Sequence, residues 1–532
     1  METSPIIPAI PLVVQLGFAG SRKLFDAAVQ KVSDPQAFED QVCEQLVVLI
    51  SRLPAELGLS ARHFFCGISQ IAVGGDTVFT RACGVLNIPQ RIILPQSLDE
   101  YLGASGSQDP DFSPSQQETT RVLLASPRII QERVVSASAE RAVRFSDTNL
   151  EIIRISDVIV GLVRSGQMDA PGGTWELIRM AEKRGKAVLV VTIAMKEGMP
   201  LLVPEWRQRK HFVAPALPHP LDHLPPLPAA GLLPEPPVQD HLPTAKAYAD
   251  HLKTHASGLA RSHKGLFKTA ALIIIGTHIL ATVCAVVAVL MYDHFPHSLA
   301  WFLAPELLLI ALGFTIHHRL HRREAIRRWA ASRLLAELGR SVAALGNQYL
   351  YPEFLFQLPF PQRFRPLLRT LNVLHLASTA RFPTDDWNSQ RAAYLADRLD
   401  WQITFYARES ARAAKWLRLS HAAFNVCSCG AFVAVVCKLL HWYGARGVVF
   451  LGPLPIVLPV LAVASLSLAA AFDWEARKHT FTDILVFLRS QRQLLAKAAT
   501  EREFCQFLLE TESRLLGETV NWYARRSFTG IS

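Results

Sequence analysis

Two kinds of apolar pattern divide the chain. From Pro11 to Ile193, short apolar runs alternate with segments whose apolar residues return every three or four positions. From Thr269 onward the apolar runs become long and unbroken. In the first region Pro11-Leu-Val-Val-Gln-Leu16, His63-Phe-Phe-Cys-Gly67, Arg91-Ile-Ile-Leu94, Val158-Ile-Val-Gly-Leu162 and Ala187 to Ile193 predict strands. Pro35 to Arg52 predicts an amphipathic helix, because Phe38, Val42, Leu46, Val47 and Ile50 share a face. Further helices are expected after Asp76, carrying Phe79, Ala82 and Val85, over Asn149 to Ile155, and up to about Arg184. Strand and helix alternate at βαβ spacing, so the sheet should be mainly parallel.

In the second region Thr269 to Tyr292 contains no Lys, Arg, Asp or Glu, and Ser298 to Ile316 is apolar except for Glu306. Leu419 to Cys437 and Gly447 to Phe472 repeat the pattern. A bilayer core takes roughly 20 apolar helical residues, so each run is long enough to cross it. The expected fold is an α/β, Rossmann-like, doubly wound head joined to an all-α membrane module, with four transmembrane helices in two hairpins and long cytosolic helices.

Composition and charge add an orientation. Half of the 532 residues are hydrophobic and 19% are charged, as in a membrane protein. The formal charge of +10 gathers beside the apolar runs, at His263-Lys264, Lys268, His317-His-Arg319, Arg322-Arg323 and Arg327-Arg328. Arg412, Lys415, Arg418 and Arg477-Lys478 flank the second pair, against Lys438 and Arg446 in its outer loop. Cationic residues stay on the cytoplasmic side, so the head and both termini are expected in the cytoplasm of a multi-pass inner-membrane protein. Anionic lipid accounts for this charge, and no nucleic-acid partner is expected. Met1-Glu-Thr-Ser lacks the basic start of a signal peptide. The eight cysteines form no disulfide framework, as in a reducing compartment, and no metal site is expected.

Candidate chemistry lies in three glycine-bearing loops at the carboxyl ends of strands, where open α/β sheets bind ligands. They are Gly17-Phe-Ala-Gly-Ser-Arg22, Val73-Gly-Gly-Asp76, with Asp76 expected to cap the following helix, and Pro171-Gly-Gly-Thr174 before Glu176. Together with Ser156-Asp157 ahead of a strand, these motifs resemble the SLOG superfamily over Leu12 to Met199. That group contains LOG-type phosphoribohydrolases and nucleotide-sensing domains of bacterial immunity systems. The resemblance implies a nucleotide site built from Gly17, Phe18, Gly20, Ser21, Arg22, Gly74, Gly75, Asp76, Asp157, Gly172, Gly173, Thr174 and Glu176. Gly20, Ser21 and Arg22 would meet a phosphate or ribose, and Gly172 to Thr174 would cradle a second phosphate. Glu176 matches the carboxylate that hydrolytic members use at the N-glycosidic bond. The enzymes read Pro-Gly-Gly-x-Gly-Thr-x-x-Glu there, whereas this chain passes from Gly173 straight to Thr174-Trp-Glu176. Glu176 is therefore the one catalytic candidate, in a loop that departs from the hydrolytic pattern. Arg121, Arg128, Arg141 and Arg144 are further candidates for phosphate contact.

The chain divides into a head (1–203), a proline-rich spacer (204–245), a first helix and two-span unit (246–350), an irregular connector (351–385) and a second such unit (386–532). The order of helix, two spans and helix occurs twice, a coarse internal repeat. Arg398-Leu-Asp-Trp401-Gln-Ile-Thr-Phe-Tyr406 resembles the pre-membrane helix of SLATT domains, which are two-span effectors often fused to SLOG domains. Glu306 either lines a pore or marks a kink with Pro305 near the outer surface, and His278 is its candidate partner across the hairpin. These resemblances imply an antiphage membrane effector whose head senses a nucleotide-derived signalling ligand, a cyclic nucleotide or ADP-ribose derivative, from a neighbouring nucleotide-producing enzyme. The output would be homo-oligomerisation in the lipid bilayer and a pore or membrane disruption. A membrane-tethered nucleotide hydrolase and a constitutive small channel or transporter are the rival readings.

Overall fold

The computed structural model describes residues 10–25, 32, 34–103, 112–167, 170–217, 242–291, 299–322, 325–346, 354–381, 386–440 and 452–528. The chain forms two compact units, Met1–His251 with Leu345–Asp385 and Leu252–Ala344 with Asp386–Ser532. In chain order the first elements are β1 (Leu12–Gly20), α1 (Pro35–Glu56), β2 (His63–Ser69), α2 (Gly75–Val85), β3 (Gln90–Leu94), α3 (Leu98–Leu102) and α4 (Pro114–Leu124). β4 (Ile129–Val134), α5 (Arg141–Ile155), β5 (Val158–Arg164), α6 (Thr174–Lys183), β6 (Ala187–Lys196) and β7 (Met199–Arg207) complete the sheet. Then come α7 (Ala245–Met291), α8 (Leu299–Arg322), α9 (Ala325–Leu345), α10 (Phe354–Gln357), α11 (Arg365–Arg381) and α12 (Trp387–Ala393). A π-helical turn (Tyr394–Leu399), α13 (Asp400–Leu439), α14 (Leu454–Ala471), α15 (Trp474–Lys497) and α16 (Glu501–Phe528) follow.

The seven strands run in the order β4-β3-β2-β1-β5-β6-β7, all parallel except β7, which is antiparallel to β6. The strands alternate their side chains between two faces. Val14, Leu16, Phe18, Val160 and Leu162 meet α1 and α2 on one face, while Ile159, Val163, Val188 and Val190 meet α5 and α6 on the other. Both faces are thus covered, as a doubly wound parallel sheet requires. Several pieces of this unit are absent from the sequence expectation, among them α3, α4, α10, β4, β7 and α11. β7 carries Pro200 and Pro204 and runs across the expected start of the spacer at 204; both prolines sit on an edge strand, where a missing N–H is tolerated. The rest of the expected spacer, 218–241, lies outside the described residues, as does the expected turn at 293–297.

α11 falls within the segment expected to be an irregular connector, and it repairs an exposed strand edge. β5 begins its pairing only at Leu16↔Val158, so the first half of β1 has no neighbour on that side. Val13 N donates to Thr370 Oγ1 at 3.0 Å and Gln15 N donates to Asp157 at 2.9 Å, replacing the missing ladder. Arg369 ion-pairs with the same Asp157. The Tyr248 hydroxyl donates to the Pro11 carbonyl at 3.1 Å, so the first turn of α7 is fastened to the unit as well.

In the second unit, three helical stretches among the described residues are long and apolar enough to cross a membrane: Ala245–Leu290, Trp387–Leu439 and Leu454–Lys497. The fourth expected run, Ser298 to Ile316, is not among them; it falls on α8, with Pro305 inside the helix. Small residues mark the helix crossings. Ser420 Oγ donates to the Ser465 carbonyl at 2.5 Å and Ser465 Oγ returns a bond to the Ser420 carbonyl at 3.3 Å, joining α13 to α14. A Cβ on Gly313 of α8 would stand 2.9 Å from Thr277 Oγ1 and 3.7 Å from His278 Nε2 of α7. His278 therefore faces Gly313 and not Glu306, which lies seven residues earlier, about 10 Å along the helix.

A buried ionic network holds α9, the π-helical turn and α16. Arg398 donates to both carboxylate oxygens of Glu512 at 3.0 and 2.8 Å and to Glu337 at 2.8 Å. Tyr394 Oη adds a bond to Glu512 at 2.8 Å, and Arg340 donates to Glu337 at 2.7 Å. Burial alone would raise the Glu337 carboxyl, but Arg398 and Arg340 hold it down to about 2. A depressed carboxyl stabilises the fold above its usual value of 4.5, and that contribution is lost as pH falls toward 2. Removing the shared cation leaves two buried carboxylates facing each other. Arg398→Ala should therefore lower stability by about 3–5 kcal/mol, read as a fall in the thermal unfolding midpoint of the detergent-solubilised chain, and a midpoint equal to wild type would refute the network's importance.

Candidate functional site

The order of strands reverses at β1. The chain winds outward through β2, β3 and β4, returns, and places β5 on the other side of β1. At such a switch point the loops leaving the two strands diverge to opposite faces and open a crevice at their carboxyl ends. Here it is a cleft of about 910 Å³. Gly20, Ser21, Arg22 and Lys23 border it from β1, Arg164 and Gln167 from β5, and Gly172, Gly173 and Thr174 from the start of α6. The first N–H groups of a helix have no intrahelical partner and carry the positive end of its dipole, so the α6 end favours an anion.

Glycines set how closely the loops approach. A Cβ on Gly20 would fall on the Gly75 backbone, and one on Gly74, at φ +88°, would fall on the Arg22 carbonyl. Gly75 N donates to the Ser21 carbonyl at 2.9 Å across this contact. Gly74 and Gly75 thus support the β1 loop from beneath and do not line the cleft. Asp76 does not cap α2, whose N-cap is Gly74. Its buried carboxyl instead accepts from Gly20 N at 2.7 Å and from Ala72 N at 3.2 Å. Burial pushes this carboxyl up to about 7, against the opposing pull of the Gly20, Ala72 and Gln70 amides and the Arg22 charge.

Of the residues expected from the sequence, Gly20, Ser21, Arg22, Asp76, Gly172, Gly173 and Thr174 come together around the cleft. Ser21 is buried; its Oγ accepts from Arg164 N at 3.2 Å and has its one proton to donate to the Leu162 carbonyl at 3.1 Å or to Gln167, so it braces the two loops. The others fall elsewhere. Gly17 lies within the sheet against Ser156 and Ile159. Phe18 is in the core, stacked on Phe79 at 4.2 Å between ring centroids. Asp157 caps the β1 edge before β5, at the other end of the strand. Glu176 turns back on its own loop, accepting from Gly172 N and from Ser146 Oγ at 2.8 Å, and is not a lining residue. Arg128 is buried and donates to Asn87 at 2.6 Å, while Arg144 reaches the Ser138 carbonyl. Of the four arginines singled out beyond the motifs, Arg141 lines the cleft.

The sequence reading missed Lys23, Gln70, Arg164 and Gln167, and on α5 it missed Phe145 and Asn149 beside Arg141. Arg141, Phe145 and Asn149 recur every four residues and present one helical face to the cleft. Arg22 and Arg141 stand over the Phe145 ring, with guanidinium carbons 5.1 and 5.5 Å from its centroid. Gln70 Nε2 donates to Asn149 Oδ1 at 2.8 Å, giving the cleft a polar floor. Among the described residues, Arg22, Lys23, Arg141 and Arg164 thus oppose one lining carboxyl, Asp76, which is near half-protonated at neutrality. A phosphate-bearing group fits this charge and the α6 terminus, and the Phe145 ring with its amide neighbours offers an aromatic and hydrogen-bonding surface beside it.

The pH dependence follows from the raised Asp76 carboxyl. The native chain holds this proton more tightly than the unfolded chain, whose carboxyl has the usual value of 3.8. Its contribution to stability should therefore decline as pH rises from about 4 to about 7 and level off above. Over the same upper limb the cleft gains a negative charge. Titration calorimetry with ADP-ribose, whose diphosphate keeps a constant charge near neutrality, should show affinity falling as pH rises through about 7. A pH-independent affinity from 6 to 8 would contradict it.

The chain matches no protein-family model, no curated protein and no solved structure.

Proposed function

We propose that the chain is a membrane effector of bacterial antiphage defence, in which a cytosolic SLOG-like head binds a nucleotide second messenger. The ligand is a cyclic nucleotide or an ADP-ribose derivative supplied by a neighbouring nucleotide-producing enzyme. Binding promotes homo-oligomerisation, and the SLATT-like helices then open a pore or disrupt the bilayer. The observation that carries this reading is the switch-point cleft, where four cations and the α6 terminus surround an aromatic ring and an amide pair. Apolar helices long enough to span a bilayer support the membrane half. α8 serves as a fourth span: Trp301, Leu307, Leu308 and Phe314 are each more than 60% exposed along it, a surface suited to lipid. The head and both termini then lie in the cytoplasm, with the cationic flanks.

Binding without hydrolysis is favoured by Glu176. N-glycosidic cleavage needs a carboxylate within reach of the reacting group. Glu176 instead fastens the loop ahead of α6 through Gly172 and Ser146. Mutation of the cleft should separate sensing from insertion. Removing one charge-assisted phosphate contact costs about 1.5–3 kcal/mol, so Arg22→Ala should weaken nucleotide binding by roughly tenfold to a hundredfold. It should also abolish toxicity on expression while the amount of membrane-inserted protein stays unchanged. Full toxicity with weakened binding would reject the sensor reading and favour a constitutive channel.

A further inference from the structure

A second basic cavity lies in the head, at the other end of α5 from the cleft. α5 starts at Arg141, which lines the cleft, and its Arg154 lies thirteen residues on, about 20 Å along the helix. Around Arg154 is a cavity of about 440 Å³, closed on one side by the sheet and on the other by α10 and the first turns of α11. Five arginines line it: Arg91 from β3, Arg133 from β4, Arg154 from α5, and Arg365 and Arg369 from α11. Among the described residues no carboxylate lines it. Two stand behind: Glu151 bonds Arg154 at 2.6 Å and Arg133 at 3.4 Å, and Asp157 pairs with Arg369. Among the described residues, five guanidinium charges against two carboxylates leave three in excess.

Ordinary structural needs absorb part of this charge. Arg154 in the last turn of α5, and Lys186, whose Nζ donates to the Ser156 carbonyl at 2.6 Å, answer the negative end of the helix. That dipole amounts to roughly half a charge, well short of the excess. Arg91 is the more telling member. Its side chain is almost wholly buried, 2% exposed, its Nε donates to Gln131 Oε1 at 2.8 Å, and it lines the cavity beside Gln15. Burying a guanidinium is costly unless its charge is answered, and Arg91 and Arg133 share Glu151 with Arg154. At the rim, Arg365 is exposed, and Phe356 keeps 44% of its surface in water beside it.

We propose that this cavity is a second anion site, taking a group of clustered phosphates such as a polyphosphate chain. Guanidinium forks match phosphate oxygens in pairs, and a volume of this size holds a small polyphosphate or nucleotide and not a protein segment. The phosphates belong either to a soluble nucleotide, with the Phe356 ring open to its base, or to an inositol-phosphate lipid headgroup. The site is separate from the cleft and does not depend on what the cleft binds.

The test uses the full-length chain in detergent and inorganic tripolyphosphate as the probe, followed by titration calorimetry. Arg365→Ala and Arg154→Ala alter water-exposed side chains, so both variants keep the fold. Each should weaken tripolyphosphate binding by about tenfold, while Lys23→Ala in the cleft should leave that binding event unchanged. Displacement of the probe by ATP would assign a soluble ligand, and displacement only by nanodiscs bearing phosphatidylinositol phosphates would assign a headgroup. Either result supports the site. Absence of tripolyphosphate binding, or binding sensitive to Lys23→Ala and indifferent to Arg365→Ala and Arg154→Ala, would overturn it. ADP-ribose binding in the cleft is read separately on the same variants, so failure of one site is distinguishable from failure of the other.

Discussion

The head depends on one backbone contact, the approach of Gly20 to Gly75, locked by the Asp76 carboxyl on Gly20 N. It joins the loop after β1 to the start of α2 so tightly that neither glycine has room for a Cβ. A side chain at either position would push the loops apart and open the cleft floor. The lock itself is a carboxyl taken out of water, which is why its proton is held to near neutrality. Two neutral-looking features of the sequence, a glycine pair and an acid beside it, therefore determine both the shape of the cleft and its charge.

The same rule, that a buried polar group must be answered, organises the rest of the chain. The unpaired edge of β1 takes Thr370 and Asp157 in place of a strand. The buried Arg398 takes Glu337 and Glu512. In each case the partners come from distant parts of the chain, so the contact fixes tertiary arrangement more than local structure. The π-helical turn at Tyr394–Leu399 belongs here too. It carries Tyr394 and Arg398, which both reach Glu512, and a turn of this kind persists where side-chain bonds offset its poorer backbone geometry.

These bonds also explain what the sequence could and could not tell. The parallel sheet was legible because five of its strands are short apolar runs punctuated by glycine and proline. β7 was not, since it straddles the expected head–spacer boundary at Pro204, and β4 was hidden by the polar run Gln131, Glu132 and Arg133. The loop motifs located the cleft, yet assigned its residues unevenly. Gly74 and Gly75 pack under it, and Asp157 and Glu176 are consumed by backbone N–H groups that a linear reading cannot see. The Arg141, Phe145 and Asn149 face was visible in principle as a spacing of four, but only once α5 is known to begin at Arg141.

The cleft's construction bears on how the proposed switch would work. To turn a resting balance of 1:99 into 99:1, a ligand must favour the active state by about 10⁴, or 5.5 kcal/mol. A ligand that met identical contacts in both states would shift nothing, however tightly it bound. The Gly20–Gly75 contact, the Ser21 brace and the α6 terminus are held by hydrogen bonds within the head itself, so the cleft is largely built before any ligand arrives. Little of the required difference is then available from reshaping it. If the proposed switch operates, the missing free energy would come from contacts made only between assembled heads, such as a nucleotide edge left exposed by one cleft and covered by a second chain. On the proposed reading, oligomerisation would be the step that supplies this difference, and effective concentration in the membrane would add the remainder.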